Sequence, residues 1–308
     1  MVRVGTGVRE RSGGPVAGLR ARLLAEVNAT VHGHDLHLER YDRPAGDPGL
    51  FGPGSVVWRV HEHPAGMLVG GFAALLLQSL HPLAMAAVDA HSDFREDPTG
   101  RLNRTARFVT TTTLGSTAAA ERAIASVRKI HLRIRGTAPD GRPYRADDPE
   151  LLTWVHTAEV RCFLAGHQAF AATPLTPAEC DSYFAEAALV AERLGAVGIP
   201  RSRAEVVAYL ARIRPELGVT PPALEVLDLL RRFGRSPRER VVVRLLTNAS
   251  IGLLPDWARA ELGIHRPRSV RAAWDRPLAR TAGRLLVWIC GPSPIRAAAH
   301  ARVAAPPL

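Results

Sequence analysis

The chain has 308 residues, of which 46% are hydrophobic, 22% charged and 6% aromatic. That is enough apolar material for one large domain or two small ones, at roughly 100–200 residues each, and it excludes a disordered chain. Three cysteines exclude a disulfide-stapled secreted scaffold, and the absence of any repeat period excludes fibres and solenoids. The net charge of +11 comes almost wholly from arginine, since Lys129 is the only lysine. Its arginines are spread along the length with no aromatic-interleaved stripe, which argues against nucleic acid as a partner.

The N-terminal stretch MVRVGTGVRERSGGPVAG is basic and polar and lacks the apolar segment of a secretory leader. Residues 1–14 are expected to be a flexible tail, 15–295 a single helical domain, and 296–308 a second flexible tail. His32, His34 and His37 lie in a polar stretch and read as solvated. Val56-Val57-Trp58 is a β-branched cluster, one of two that could form a strand; the other is Val241-Val242-Val243. His61 and His63 flank Glu62 at a spacing that suits either a metal-ligand pair or an exposed loop before Pro64. The longest apolar run, from Gly66 to Leu80, is shorter than the ~18–20 residues that span a bilayer. Extending it to Val88 would bury Gln78, His81 and Pro82, so a buried core helix and a cytoplasmic location are expected, with no stable membrane span.

Helix starts recur from there on. Asp97-Pro98 and Asp148-Pro149 pair an N-cap carboxylate with a proline whose missing N–H costs nothing at the first helical position. Thr176-Pro177-Ala178-Glu179, Ser202-Arg203-Ala204-Glu205 and Ser236-Pro237-Arg238-Glu239 fit the capping box. Gly136 and Gly195 follow helical runs, where left-handed caps belong. Leu152, Val155, Thr157, Val160, Phe163 and Leu164 form one helical stripe, and Val206, Val207, Leu210 and Ile213 another. Thr137–Pro143 (TAPDGRP) is a turn by composition. The fold class is therefore mainly α, a single multi-helix domain of nine to eleven helices.

Two stretches carry candidate chemistry. Read as a continuous helix, Ser126–Gly136 puts Arg128, His131 and Arg135 on one face, and Arg101–Phe108 does the same for Arg101, Arg104, Thr105 and Phe108. A histidine between guanidiniums is held neutral, the form that ligates a metal, and the arginines require anions. Haem, with one axial nitrogen ligand and two propionates, meets both demands; pairing of these arginines with Glu121 or other surface acids meets the second alone. Cys162, Cys180 and Cys290 are scattered and read as inert buried thiols, and Trp154, Trp257 and Trp288 as packing residues. His81 and His91 read as capping or core groups, and His156 faces either the haem or the core.

The run His81-Pro82-Leu83-Ala84-Met85-Ala86-Ala87-Val88-Asp89-Ala90-His91-Ser92 precedes Asp97-Pro98 and Arg101-Leu102-Asn103-Arg104-Thr105. Val127-Arg128-Lys129-Ile130-His131 with Gly136, Tyr144–Pro149 and Trp154-Val155-His156 follow, and Leu254-Pro255-Asp256-Trp257 comes late. In this order the chain resembles the DUF2236 family, which includes the MpaB-type oxygenases and the latex-clearing protein, a rubber oxygenase, over roughly residues 50–265. The resemblance implies a helical fold enclosing one b-type haem. Arg128-x-x-His131-x-x-x-Arg135 reproduces the family's proximal pattern, so His131 is the implied iron ligand, with Arg101, Arg128 and Arg135 on the propionates. Arg101-x-x-Arg104-Thr105 corresponds to the family's R-x-x-K-T, with Arg104 in place of the lysine. A guanidinium keeps its proton and cannot ligate iron, so Arg104 and Thr105 become distal hydrogen-bond donors. Where the family carries a carboxylate ahead of that threonine this chain has Met85; Asp89, one helical turn on, is the nearest replacement. The resemblance thus implies O2-dependent oxidation or C=C cleavage of an apolar, isoprenoid or other alkene substrate, walled by the 66–88 helix. Rubber cleavage itself is not expected. The alternatives are a non-catalytic haem sensor or carrier and, from charge alone, a helical DNA-binding regulator.

Overall fold

The computed structural model describes residues 37–232, 237–265 and 293–306. The 1–14 tail, His32, His34, Ser236, Trp288 and Cys290 lie outside them. The described residues form a mainly helical, single-domain protein. In chain order the helices are α1 (Val56–His61), α2 (Pro64–Gln78), α3 (Pro82–His91), α4 (Pro98–Leu114), α5 (Thr117–His131), α6 (Pro149–Phe170), α7 (Pro177–Leu194) and α8 (Arg203–Ile213). They continue with α9 (Pro221–Arg232), α10 (Pro237–Leu253), α11 (Asp256–Glu261) and α12 (Pro294–Ala304). Twelve helices among the described residues exceed the nine to eleven expected, because short segments such as α1 and α11 form single turns between longer ones.

The starts follow local capping chemistry. Asp97 accepts from Gly100 N, Asp148 from the amides of Glu150 and Leu151, and Ser202 from Glu205 N. Thr176 and Glu179 close a full capping box, and Gly195 (φ 108°) ends α7 in the left-handed region. Val56-Val57-Trp58 and Val241-Val242-Val243, the two strand candidates, are helical instead. In α1 tertiary burial overrides β propensity: Val57, Trp58 and Val60 are almost wholly enclosed.

α2 and α6 form the centre. Gly66 approaches Gly166, and Gly70 approaches Cys162, so the two helices run antiparallel with their backbones in contact. A Cβ on Gly166 would lie 2.2 Å from the Gly66 carbonyl oxygen. Around this axis Leu76, Leu77, Leu80 and Trp154 are fully buried, and α10 adds Leu246 and Ser250, whose hydroxyl donates to the Val69 carbonyl at 2.8 Å. The 66–88 run is thus the core, as expected for α2, but it bends by 104° between α2 and α3 rather than continuing. No single helix among the described residues is long and apolar enough to cross a membrane.

Two expectations fail at helix ends. α5 stops at His131, where Arg133 N and Ile134 N bond back to Ile130 and His131 in tight turns. The chain then enters a two-stranded hairpin, β1 (Arg135–Thr137) paired antiparallel with β2 (Pro143–Arg145) across the TAPDGRP turn. Gly136 is accordingly not a left-handed cap; it pairs with Tyr144, and a Cβ there would meet the Tyr144 hydroxyl at 2.5 Å. The C-terminal segment expected as a flexible tail from 296 is instead mostly helix α12. Ile295 and Ala299 pack with Tyr41, Trp58 and Leu114, and the buried Arg302 guanidinium donates to the carbonyls of Tyr41, Asp47 and Leu114 at 2.7–2.9 Å. Each carbonyl satisfied this way fixes the 41–49 loop and the end of α4 against α12.

Candidate active site

Five helices bring polar side chains to one interior region. α1 ends in His61, whose Nδ1 lies 2.7 Å from Thr113 Oγ1 on α4 and whose Nε2 lies 2.9 Å from Tyr183 Oη on α7. His61 thus stands at a helix end and not in an exposed loop, with both nitrogens engaged within the protein and its ring T-shaped to Phe163, 5.2 Å between centroids. Burial, helped by His156, pushes its pKa down to about 3. A neutral imidazole carries one N–H, so one of the two hydroxyls donates to the ring and the other accepts from it. His63 instead caps α2, accepting from Gly66 N.

α6 contributes His156 and Glu159, one turn apart. Neither nitrogen of His156 has a hydrogen-bond partner among the described residues, Nε2 is sealed from water, and burial pushes the ring down to about 4. The Glu159 carboxyl likewise receives no hydrogen bond from the described residues. Burial raises its pKa to about 7, an effect that nearby Arg101 only partly offsets. Both side chains are largely surrounded by protein yet keep some accessible surface. Tyr183, which Glu159 influences electrostatically, closes the ring back to His61. Phe108, Val109, Val160 and Phe163 supply the adjoining apolar wall.

α4 and α5 hold the sequence-predicted residues. Arg101 is half-buried and donates to Thr105 Oγ1, which in turn donates to the Arg101 carbonyl at 3.2 Å. Burial and neighbouring Arg104 lower the Arg101 pKa, and Glu159 opposes them. His131 is half-buried, without a hydrogen-bond partner on either nitrogen among the described residues. Burial first and Arg101 second push its pKa down, against Asp147. A neutral imidazole at this position was expected, but the cause differs: Arg101, not Arg128 or Arg135, is the guanidinium that acts on it. Because α5 ends at His131, Arg128, one turn back, keeps its place on the same helix face, whereas Arg135 does not. Arg128 is exposed, and Arg135 lies on β1 and donates to the Leu132 carbonyl at 2.7 Å.

The other predicted residues separate from this region. Arg104 is exposed and pairs with Asp97 at 3.5 Å. Asp89 pairs with Arg95 at 2.5 Å, and Arg95 also binds Glu225 at 2.6 Å, so its carboxylate belongs to a cluster linking α3 to α9. The carboxylate that reaches the interior is Glu159, which the sequence reading missed. Its signal was present: Leu152, His156, Glu159 and Phe163 stand at i, i+4, i+7 and i+11, which places a carboxylate on an otherwise buried stripe. The 66–88 helix, expected to wall the pocket, is used in the core, and the wall comes from α4 and α6.

Residues 58–288 match a family model described as ER-bound oxygenase mpaB/B'/Rubber oxygenase, catalytic domain. The chain belongs to this family. It is accordingly an oxygenase-type oxidoreductase, with a small-molecule substrate and O2 as reactants. The match takes in α2 to α11 and every residue of the interior region named above. Comparison with curated proteins and with solved structures returns no match.

Proposed function

We propose that this mpaB/rubber oxygenase domain is a haem b-dependent oxygenase that oxidises or cleaves an alkene in a largely apolar, isoprenoid-like substrate. The observation that carries the reading is His131: a neutral imidazole with both nitrogens unengaged, set beside a guanidinium that no carboxylate pairs with. Among the described residues no group of three or more His, Cys, Asp or Glu is placed to hold a bare metal ion. A single imidazole suits a metal that brings its remaining ligands in a macrocycle. The donor set therefore fits haem: His131 would hold the iron, Arg101 a propionate, and Arg128 and Arg135, being exposed, could meet a propionate only at the rim. When bound, haem supplies the activation of O2.

The chain's own residues do the rest. Arg101 is fixed by Thr105, so its charge stays aimed into the interior rather than out to solvent. Thr105 acts through Arg101 and keeps hydroxyl capacity toward that region. Arg104, tied to Asp97 on the surface, contributes charge to the outer end of α4 and lowers the affinity of Arg101 for its proton. Phe108, Val109, Val160 and Phe163 exclude water from the space the substrate enters. Glu159 holds a proton in a fraction of molecules near neutral pH, a group suited to give or take one beside the substrate.

The test is an absorption spectrum of protein expressed with haem precursor, beside His131→Ala. The expected result is a Soret band near one haem per chain, lost in the variant, and O2 uptake that depends on an added alkene. Folded wild type with no Soret band overturns the haem assignment; a Soret band without alkene-dependent O2 uptake points to the carrier reading.

A further inference from the structure

The corner where α5 turns into the hairpin presents a surface that the core does not use. Residues 122–139 carry Arg122, Arg128, Lys129, Arg133 and Arg135 and no carboxylate. All five are exposed, and none forms an ion pair among the described residues. The bordering acids are already taken: Glu121 by Arg193, Asp140 by Arg142 and Asp147 by Arg145. Interleaved with these cations, Ile130 and Leu132 are 52% and 55% exposed. The hairpin register sets Arg135 directly opposite Arg145 on the outer face, while Tyr144 turns inward. Like charges so opposed destabilise a strand pair. The dipole of α5 accounts for Arg128 and Lys129 in its last turn. It accounts neither for the two aliphatics in solvent beside them nor for the opposed arginines.

We propose that this corner, the end of α5 with the outer face of the β1–β2 hairpin, docks on the surface of an anionic lipid bilayer. Acidic head groups supply the counter-charge that the protein withholds from the cations, and Ile130 and Leu132 enter the boundary between head groups and acyl chains. The two kinds of side chain together select this occupant. A nucleic acid would meet the cations but leave both aliphatics without an apolar partner, and residues 122–139 hold no Phe, Tyr or Trp to stack a base. A second copy of the chain would set like charge against like. An uncharged apolar surface would strip the guanidiniums of water and return nothing. Two aliphatics make a shallow anchor, so the binding is peripheral and depends on charge. The docking does not rest on the haem assignment. An apolar substrate of the kind proposed above partitions into the same bilayer, at the corner that carries His131.

The test is sedimentation of the full chain, as purified, with phosphatidylcholine vesicles prepared with and without phosphatidylserine, at low and high salt. Wild type should bind the anionic vesicles and not the neutral ones, and high salt should release it. Lys129→Gln with Arg133→Gln should weaken binding by about tenfold or more, at about fivefold for each cation. Ile130→Ser with Leu132→Ser, which leaves the charge unchanged, should weaken it several-fold. Arg231→Gln with Arg232→Gln removes as much charge from the exposed end of α9 and should retain binding within about twofold, which separates the corner from the overall charge of +11. The exchanged side chains are all exposed, so each variant should keep the wild-type Tm. The proposal is overturned by equal binding to both kinds of vesicle, by no binding to either, by an equal loss in the α9 variant, or by unchanged binding of Ile130→Ser with Leu132→Ser. A DNA duplex bound in place of the vesicles, and released by Lys129→Gln with Arg133→Gln, also overturns it and makes the corner a nucleic-acid surface.

Discussion

Replacing Glu159 by glutamine should make the protein more stable, not less. In the folded chain the carboxyl is enclosed without a donor and ionises only near pH 7, against 4.5 for an ordinary glutamate. At 1.36 kcal/mol for each tenfold change in proton affinity, that rise corresponds to about 3 kcal/mol of destabilisation once the group is ionised. The sign follows from proton counting. Between pH 4.5 and 7 the folded chain holds a proton that the unfolded chain has released, so stability falls as pH rises through this window. Above it the full penalty stands, and below it none remains. Glutamine mimics the neutral acid and escapes the penalty. The attraction to Arg101 that it forfeits is already counted in the net shift. Denaturant unfolding of wild type and Glu159→Gln, at intervals from pH 4.5 to 8, should give curves that coincide at the acid end. They should diverge by up to about 3 kcal/mol at the alkaline end. A constant difference across the range, or a variant less stable at pH 8, would refute the reasoning. Either would mean that Glu159 ionises as an ordinary carboxylate or that Arg101 depends on it.

Other consequences follow from the same geometry. Arg104→Ala should change stability by less than about 1 kcal/mol and leave haem content untouched, because it removes an exposed ion pair. Arg101→Ala, measured by the Soret band of the same preparation, should lower haem occupancy. Gly166→Ala should cost more than about 2 kcal/mol in chemical denaturation, since the new methyl meets the Gly66 carbonyl oxygen at 2.2 Å and the α2–α6 axis must part; an unchanged midpoint would mean those backbones are not in contact. Burial holds His61, His81 and His156 below the ordinary value of 6.5, at about 3, 4 and 4. The unfolded chain takes up these protons first, so their stabilisation is complete above pH 6.5 and is lost as pH falls toward 4. Tm of Glu159→Gln, free of the opposing carboxyl, should fall steadily across that range; a flat profile would contradict the enclosure of these rings.

What the sequence disclosed and what it hid divide along the range of the interactions involved. Asp97, Asp148, Thr176 and Ser202 announced their helices because a cap is bonded to amides two or three residues away, and nothing distant can alter that choice. The motif order disclosed the family for a similar reason, being itself a linear pattern. The end of α5 depended on a competitor further along: the TAPDGRP turn recruits Arg135–Thr137 into a hairpin and so removes Arg135 from the helix face on which it had been placed. Arg302 sits in a segment rich in alanine and proline, and only the carbonyls of Tyr41, Asp47 and Leu114, far away in sequence, give it a reason to be buried. The choice of carboxylate shows the same division most sharply. Asp89 was selected by its distance along the chain from Thr105, whereas space assigns it to Arg95. Glu159 was passed over because charged residues are read as solvent-facing, yet it lies between Leu152, His156 and Phe163 on a buried stripe. A helix that places a carboxyl there gives up stability, and it does so in the interior region that also contains the unengaged His131 and the guanidinium of Arg101. A core residue of similar size would fill the position at no such cost. The arrangement is explicable if Glu159 serves the reaction and not the fold, which makes this one position a point at which stability and function are set against each other.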